Sequence, residues 1–307
     1  MPKINPTTIS FYLLYPVLLG ISILPFPVLY FISDYFLYPI LYLFIGYRKK
    51  VVSENLKNAF PDKSEEERKG IEKRFYHFLC DLFVETLKGI TISEKELLKR
   101  CVYEFDSDLT DKWYREQRNF IVTLGHFGNY EWLAMTLDAK FKHKGSGPFH
   151  KMKNPYFNGM FAKMRMKFGT HMYPTYETYK RIEKGYDRPF LVGLANDQSA
   201  PPLKSYWTTF LNQDTSFFYG TEKVAVQFDM PVLFCAIERT KRGYYKAVYK
   251  LISDDPKGEK ANSTIEKHAR LLETQINIQP ELWLWSHRRW KHKKPEKKNG
   301  NPVRAKN

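Results

Sequence analysis

The chain begins with a long run of apolar and aromatic positions. Residues 9–46 contain no charged side chain before Asp34. The run approaches the roughly 20 residues of a transmembrane helix, but Pro16, Pro25 and Pro27 interrupt it. We therefore predict two helical pieces that associate with a membrane, although a buried helical hairpin would show the same pattern.

Two features at the end of this run favour the membrane. The second piece carries a series of tyrosines: Tyr30, Tyr35, Tyr38 and Tyr42. Tyrosine is enriched where a bilayer meets water, and basic residues are enriched on the cytoplasmic side. Because Arg48, Lys49 and Lys50 follow at once, we predict a membrane-anchoring segment over residues 1–46 with this end in the cytoplasm.

A globular pattern follows over residues 47–290. Apolar positions at helical spacing run through residues 51–92, and Ser64 and Ser93 each begin a capping box. From about residue 102, apolar β-branched runs alternate with helical patterns, and polar loops are expected over 142–147 and 199–215. The expected strands are Val102–Phe105, Phe120–Leu124, Pro148–Met152, Pro189–Ala195, Pro231–Ile237 and Tyr244–Leu251. The pattern predicts an α/β fold, a mostly parallel central sheet flanked by helices. Residues 291–307 are basic and are predicted to form a disordered tail.

One stretch combines a strand, a turn and a helix with candidate chemistry. His126 follows the buried strand, Asn129 is placed to cap the next helix, and Glu131 lies in that helix's first turn. A carboxylate folded back onto the imidazole would fix its tautomer and make the other ring nitrogen a base. A solvated loop histidine near a helix N-terminus is the simpler alternative.

Further polar groups follow other predicted strands: Asn154, Arg165, Asp197 and Glu222. Because the carboxyl ends of parallel strands meet at one edge, these groups are expected to converge on His126. A base beside a fixed guanidinium suits acyl or phosphoryl transfer, although Arg165 and Asp197 could be structural ion-pair residues. The sequence has no phosphate-binding P-loop and no GxSxG esterase motif. The His-x₄-Glu spacing is not a zinc-binding HExxH, so no metal site is predicted.

The composition of the chain indicates which classes of partner it could bind. The formal net charge is +16, and aromatic residues make up 16% of the chain. Such a surface attracts nucleic acid, anionic lipid or an acidic carrier protein. Nucleic acid is disfavoured because the basic residues are dispersed and no nucleic-acid-binding motif occurs. The three cysteines are widely spaced, so no CxxC zinc or redox site exists.

A resemblance connects these motifs. In order along the chain they are Asn55-Leu-Lys-Asn-Ala-Phe-Pro61, His126-Phe-Gly-Asn-Tyr-Glu131, Lys153-Asn-Pro155, Arg165 near Gly169, Asp197-Gln198, Phe210-Leu-Asn212 and Gly220-Thr-Glu222. In their order and spacing the chain resembles the lipid A lauroyl/myristoyl acyltransferases, within the glycerolipid and lysophospholipid acyltransferase superfamily. The segment His126–Glu131 is similar to that family's catalytic HX4(D/E) box.

The resemblance implies an acyltransferase domain over residues 47–290 and a reaction without a cofactor. An acyl carrier protein thioester, or acyl-coenzyme A, would donate the chain to a hydroxyl of a membrane lipid at the cytoplasmic face of a bacterial inner membrane. His126 would remove the hydroxyl proton, Glu131 would orient His126, and Arg165 would hold a phosphate or the oxyanion. Asp197 would help to arrange the site.

Substrate contacts are expected from residues in or beside the same motifs: Asn129, Lys151, Asn154, Gly220 and Glu222. The segment Gln198-Ser-Ala-Pro-Pro202 lacks the Tyr-Gly of the best-known lipid A enzymes. The acceptor could therefore be another amphiphile, such as an aminolipid or a lysophospholipid. A non-catalytic lipid-binding membrane protein would share the apolar groove and the basic surface.

Overall fold

A computed structural model describes residues 6–298 and 301–302 of the chain. Its α-helices are α1 Pro6–Ile23, α2 Phe26–Ile32, α3 Lys49–Ala59, α4 Glu65–Lys88, α5 Glu94–Arg100, α6 Ser107–Arg115, α7 Tyr130–Met135, α8 Leu137–Lys140, α9 Pro155–Arg165, α10 Thr178–Lys184, α11 Gly220–Phe228 and α12 Ser263–Ile278. Two π-helical turns, Ser33–Leu37 and Pro39–Phe44, extend α2, and short 3₁₀ turns occupy Thr175–Glu177 and Pro280–Leu282.

The strands are β1 Cys101–Glu104, β2 Phe120–Leu124, β3 Lys144–Phe149, β4 His171–Pro174, β5 Phe190–Ala195, β6 Ser205–Phe210, β7 Gln213–Phe218, β8 Val232–Lys241, β9 Tyr244–Ser253, β10 Lys297–Lys298 and β11 Asn301–Pro302. The predicted tail, 291–307, falls partly on this last strand pair and partly outside the described residues.

A seven-stranded sheet with the order β1-β9-β8-β2-β5-β3-β4 forms the centre of the fold. Within this sheet, strands β8, β2, β5, β3 and β4 run parallel to one another, β1 runs parallel to β9, and the β8–β9 pair is antiparallel. Four of the five residues of β2 are buried, as expected of a parallel strand that helices cover on both faces. The predicted α/β class with a mostly parallel, helix-flanked sheet is confirmed.

Three predicted boundaries differ from the structure. The expected loop at 142–147 is mostly strand β3, which begins four residues before the predicted strand; β4 was missed altogether. The expected loop at 199–215 contains the hairpin β6–β7. Its turn residues Leu211 and Asn212 both have positive φ, 48° and 62°. Leucine rarely takes this conformation, so the sequence gives no usual turn signal there.

The two predicted capping boxes also differ. At Ser64 the box is complete, because the serine side chain accepts from the Glu67 amide while the Glu67 side chain accepts from the Ser64 amide. At Ser93 only the serine half forms. Glu96 instead pairs with Arg100 one turn later in α5, at 2.6 Å.

The N-terminal elements pack against the globular part rather than extending away from it. The stretch Phe26–Phe44 is, among the described residues, long and apolar enough to cross a membrane. It lies along α4, and the carbonyl oxygen of Leu24 accepts a hydrogen bond from Lys88 Nζ at 2.9 Å. The predicted two helical pieces are therefore present as α1 and the α2 stretch.

A buried carboxylate connects this N-terminal segment to the sheet. Glu85 of α4 is fully buried and accepts hydrogen bonds from Tyr30 Oη at 2.9 Å, Tyr245 Oη at 2.7 Å and Asn129 Nδ2 at 2.8 Å. Burial raises the pKa of Glu85 to about 7, although these donors oppose the shift. One side chain thus contacts the α2 stretch, β9 and the turn after β2.

We expect Glu85 to make stability pH-dependent. Its pKa in the folded protein, about 7, lies above the ordinary value of 4.5. The stabilisation from proton binding is therefore complete below about pH 4.5 and is lost as pH rises through 7, by about 3 kcal/mol. Glu85→Gln has no proton to lose, so the difference in unfolding free energy between wild type and variant should change by this amount between pH 4.5 and 7.5. Denaturant unfolding in detergent at both pH values measures it, and a pH-independent difference would contradict the assignment.

Candidate active site

The register of two neighbouring strands brings the candidate site together. In the parallel pair β2–β5, Leu124 lies opposite Ala195, and these are the last residues of their strands. His126 and Asp197 each lie two residues further on, so they emerge side by side at the carboxyl edge of the sheet. This is the edge at which open α/β sheets place their ligands.

Asp197 holds the imidazole of His126 through two contacts. Its Oδ1 lies 2.5 Å from His126 Nδ1, and its Oδ2 accepts the backbone N–H of His126 at 2.8 Å. Trp283 Nε1 donates to the same Oδ2 at 2.8 Å. The carboxylate therefore fixes the ring orientation and leaves Nε2 as the nitrogen available to a substrate.

Each member of the pair shifts the pKa of the other towards its ionised form. Burial opposes ionisation of Asp197, but the His126 charge and the hydrogen bonds from His126 and Trp283 hold the pKa of this carboxyl well below its usual range. Burial likewise disfavours the imidazolium of His126, yet the Asp197 carboxylate outweighs it and raises the pKa of the ring. A base arranged in this way is stabilised after it accepts a proton.

Glu131, which was expected to orient His126, has a different partner. Its two carboxylate oxygens accept from Arg165 Nε and Nη2, each at 2.7 Å. Of these two carboxylates it is Asp197, and not Glu131, that bonds the histidine ring, because β5 brings Asp197 alongside while the helix start directs Glu131 towards α9. Glu131 still adds to the raised pKa of His126 through its charge.

A cavity of ≈ 600 Å³ opens beside His126, within the range of small-molecule sites. Its apolar walls come from β2, β3, β5, α7 and α8, and they include Val122, Leu124, Leu133, Ala134, Leu137, Pro148, Phe149 and Leu194. His126, Glu131, Arg165 and Gln198 are among its polar lining residues. Because side chains two apart share one face of a strand, the cavity follows β2 from His126 back to Val122, over ~13 Å.

Two of the predicted substrate contacts instead cap helices. Asn129 is fully buried; its side chain accepts from the Trp132 amide at 3.0 Å and donates to Glu85. Asn154 accepts from the amides of Tyr156 and Phe157 at the start of α9, at 3.0 and 3.3 Å. The Asn129 cap was predicted, but both asparagines lie outside the cavity lining.

The other three predicted substrate contacts lie in three different environments. Gly220 lines the cavity at the start of α11. Glu222 accepts from the backbone amides of Asn262 and Ile265, which holds the start of α12. Lys151 is exposed and donates to Tyr176 Oη at 2.8 Å. The structure therefore brings His126, Glu131, Arg165, Asp197 and Gly220 to one place.

The sequence analysis did not assign a role to one polar residue of the site and to two aromatic neighbours. Gln198 Nε2 lies 3.3 Å from His126 Nε2, and its place directly after Asp197 was a usable signal. The Tyr130 ring packs edge-on against His126, with 5.0 Å between ring centroids. Trp283 gave no local signal, because it reaches Asp197 across 86 residues of sequence.

Comparison with known families identifies one match. The family model described as bacterial lipid A biosynthesis acyltransferase covers residues 4–292. No curated protein matches the chain. The matched range includes the N-terminal apolar elements, the seven-stranded sheet and every residue of the site.

We expect Asp197 to be the main source of the raised pKa of His126. Asp197→Asn removes the charge and keeps the shape, so burial should then dominate and bring the pKa of His126 below its ordinary 6.5. The matched variant Glu131→Gln should lower it less. Titration of ¹⁵N-labelled histidine by NMR, assigned with His126→Gln, measures both. A larger shift in Glu131→Gln would identify Glu131 as the controlling carboxylate.

Proposed function

Because the chain belongs to the bacterial lipid A biosynthesis acyltransferase family, and is therefore an acyltransferase, we propose that it moves a fatty acyl chain from a carrier thioester to a hydroxyl of a lipid A precursor. The observation that carries this proposal is the joint position of an Asp197-held histidine and a long apolar cavity. A base and an acyl-sized apolar space at one place are what acyl transfer to a hydroxyl requires.

In the proposed reaction His126 acts as general base and then as general acid. Its Nε2 takes the proton of the acceptor hydroxyl while that oxygen attacks the thioester carbonyl carbon. The tetrahedral intermediate then collapses, the carbon–sulfur bond breaks, and the imidazolium returns the proton to the leaving thiolate. Asp197 stabilises the imidazolium between the two steps, as in triads of the Ser-His-Asp type.

The apolar cavity would hold the acyl chain during these steps. Each methylene group removed from water contributes about 0.8 kcal/mol, so walls of Leu, Val, Pro and Phe favour a long chain over a short one. The buried residue Val122 lines the cavity on β2, four residues before His126. The length of the cavity beyond β2 would then determine which acyl chain lengths the protein accepts.

The Arg165–Glu131 pair would shape the polar side of the cavity. Two parallel hydrogen bonds fix the guanidinium plane, and both side chains are mostly buried. Arg165 therefore presents a positioned positive charge to the thioester oxygen or to an acceptor phosphate, and Glu131 acts on His126 through charge and on Arg165 through direct bonds. The Gln198 amide, close to His126 Nε2, is suited to donate to the developing oxyanion.

A basic groove beside the cavity suits an acidic carrier protein as the donor. Lys180, Arg181 and Lys184 of α10 line it together with Tyr176 and Glu177, which pairs with Arg181 at 3.2 Å. Thr178 and Tyr179 of the same helix line the main cavity. Charge of this kind accelerates encounter with an acidic partner. Coenzyme A is also anionic, so both donors belong in the test.

The family is membrane-associated, and we place this protein at the cytoplasmic face of a bacterial inner membrane. The basic residues Arg48, Lys49 and Lys50 directly follow the apolar N-terminal elements and are exposed, which favours an anionic leaflet. The acceptor is then drawn from the bilayer. An aminolipid or a lysophospholipid in place of the lipid A precursor would use the same base and the same acyl cavity.

We expect His126→Ala and Asp197→Asn each to reduce acyl transfer about 10²- to 10⁴-fold, the range for a positioned acid–base group. Because the two residues act as a unit, the double variant should be little worse than His126→Ala alone. The assay supplies labelled acyl carrier protein or coenzyme A thioester and either a lipid A precursor or a lysophospholipid. Mass spectrometry of the lipids identifies the product.

The control for this assay is His292→Ala, which changes a histidine outside the cavity lining. Normal turnover by His126→Ala would contradict the proposed mechanism. Acylation of the lysophospholipid alone would retain the mechanism and replace the acceptor.

A matched pair of substitutions at Val122 tests the acyl cavity. Val122→Phe adds volume inside the cavity and should shift the preferred acyl chain towards shorter chains. Val122→Ala enlarges the same place and should shift the preference towards longer ones. Competition between donor thioesters of mixed chain length, analysed by mass spectrometry, gives both preferences from one experiment. An unchanged preference in both variants would show that the chain lies elsewhere.

A further inference from the structure

The stretch Phe26–Phe44 has its large apolar side chains on the outside. Leu29, Ser33 and Tyr42 are buried against the protein. The outward positions are 40% to 82% exposed: Val28, Phe31, Tyr35, Phe36, Ile40, Leu43 and Phe44. This distribution is the reverse of that in a surface helix of a water-soluble protein, whose apolar stripe faces the core. An apolar face of this extent marks an interaction site.

The polar side chains of the stretch are bonded to the globular part. Ser33 Oγ donates to Asp81 Oδ1 at 2.7 Å, and Tyr30 Oη donates to Glu85 at 2.9 Å. The Tyr38 ring stacks on His77, with 3.7 Å between centroids. These contacts run along one side of the stretch and hold it flat against α4.

An ion network fixes the middle of the stretch. Asp34, near its centre, accepts from Arg242 Nη1 and Nη2 at 2.7 and 2.8 Å. Arg242 also donates through Nε to Asp81 Oδ2 at 2.9 Å. If the stretch crossed a bilayer, Asp34 would lie near the midplane, where charged side chains are costly. Moving it there would either break this network or carry the turn between β8 and β9 into hydrocarbon.

We propose that Phe26–Phe44 is not a transmembrane span but an in-plane helix, whose exposed face lies in the surface of an anionic phospholipid bilayer. The inverted polarity requires an apolar partner outside, and the ion network keeps the axis along the domain. The exposed Arg48, Lys49 and Lys50 at its end supply the basic contact to headgroups. This goes beyond the proposed function, because it concerns how the protein meets the membrane and not what it transfers.

The sheet topology links this membrane face to the active site. Strands β2 and β8 are parallel, so their carboxyl ends point the same way, although β8 continues to Lys241, beyond the level at which β2 ends. His126 follows β2, and Arg242, which anchors the in-plane helix, follows β8. The membrane face thus lies on the side of the sheet towards which the strand before the base runs. An acceptor lipid can reach His126 from that side with its own acyl chains still in the membrane.

Depth measurements on the full chain test the proposal. Val28→Cys, Phe36→Cys and Phe44→Cys are each labelled with a fluorophore and bound to phosphatidylethanolamine–phosphatidylglycerol vesicles. The native Cys80 and Cys101 are buried and therefore unreactive in the folded protein. Cys235 is buried but lines the cavity, so every label is introduced into a Cys235→Ala background. Lipids carrying a nitroxide near the headgroup or at mid-chain quench the label according to its depth. The control label, Lys112→Cys, lies on α6, which follows the end of β1 at the opposite edge of the sheet.

The in-plane helix predicts equal, shallow depths for the three labels and no quenching at residue 112. A transmembrane span predicts that the label at 36 is deepest, by about 12 Å relative to the other two, given ~1.5 Å per residue. A deepest label at residue 36 would overturn the proposal. So would the absence of quenching at all three positions, as for the control label. Phe31, Ile40 and Leu43 supply a second set of outward positions if a label disturbs folding. Since the readout does not involve acyl transfer, its failure is distinct from a failure of the proposed function.

Discussion

The buried carboxylate of Glu85 is the contact on which the other parts of this molecule depend. Burying a carboxylate is costly unless donors surround it, and here the donors come from the in-plane helix, the sheet and the turn after β2. Trp132 Nε1 also donates to the backbone oxygen of Glu85, at 2.9 Å. The N-terminal segment, the sheet and the turn that carries His126 are thus ordered together, because one side chain accepts hydrogen bonds from all three.

The register of the strands positions the other residues of the site relative to that turn. Asn129, held by Glu85, caps α7, and the turn between β2 and α7 carries His126. Strand β5 then places Asp197 against the ring, and the opposite face of β2 packs on α12 through Thr123 and His268. A one-residue slip between β2 and β5 would separate the histidine from its carboxylate. The precision of the site therefore comes from the sheet and not from the loops.

The sequence predicted those parts of the site that depend on neighbouring residues. The strand Phe120–Leu124, the Asn129 cap and the position of His126 are local features, and all three are present. The partner of the imidazole is not local. Glu131 was the nearest carboxylate in sequence, whereas Asp197 is nearest in space only because β5 inserts between β2 and β3. The β6–β7 hairpin was missed for a different reason, since Leu211 gives no sign of its positive φ.

The contact between Asp34 and Arg242 also implies an order of assembly. The two residues are 208 positions apart, so a ribosome working at about 5–20 residues per second delivers the arginine some 10–40 s after the aspartate. During that interval the apolar stretch has no completed domain to dock on. Helix α4, against which the stretch packs, ends at Lys88, so it is synthesised long before Arg242. The contacts with α4 can therefore form first, and the ion pair with Arg242 closes the assembly last.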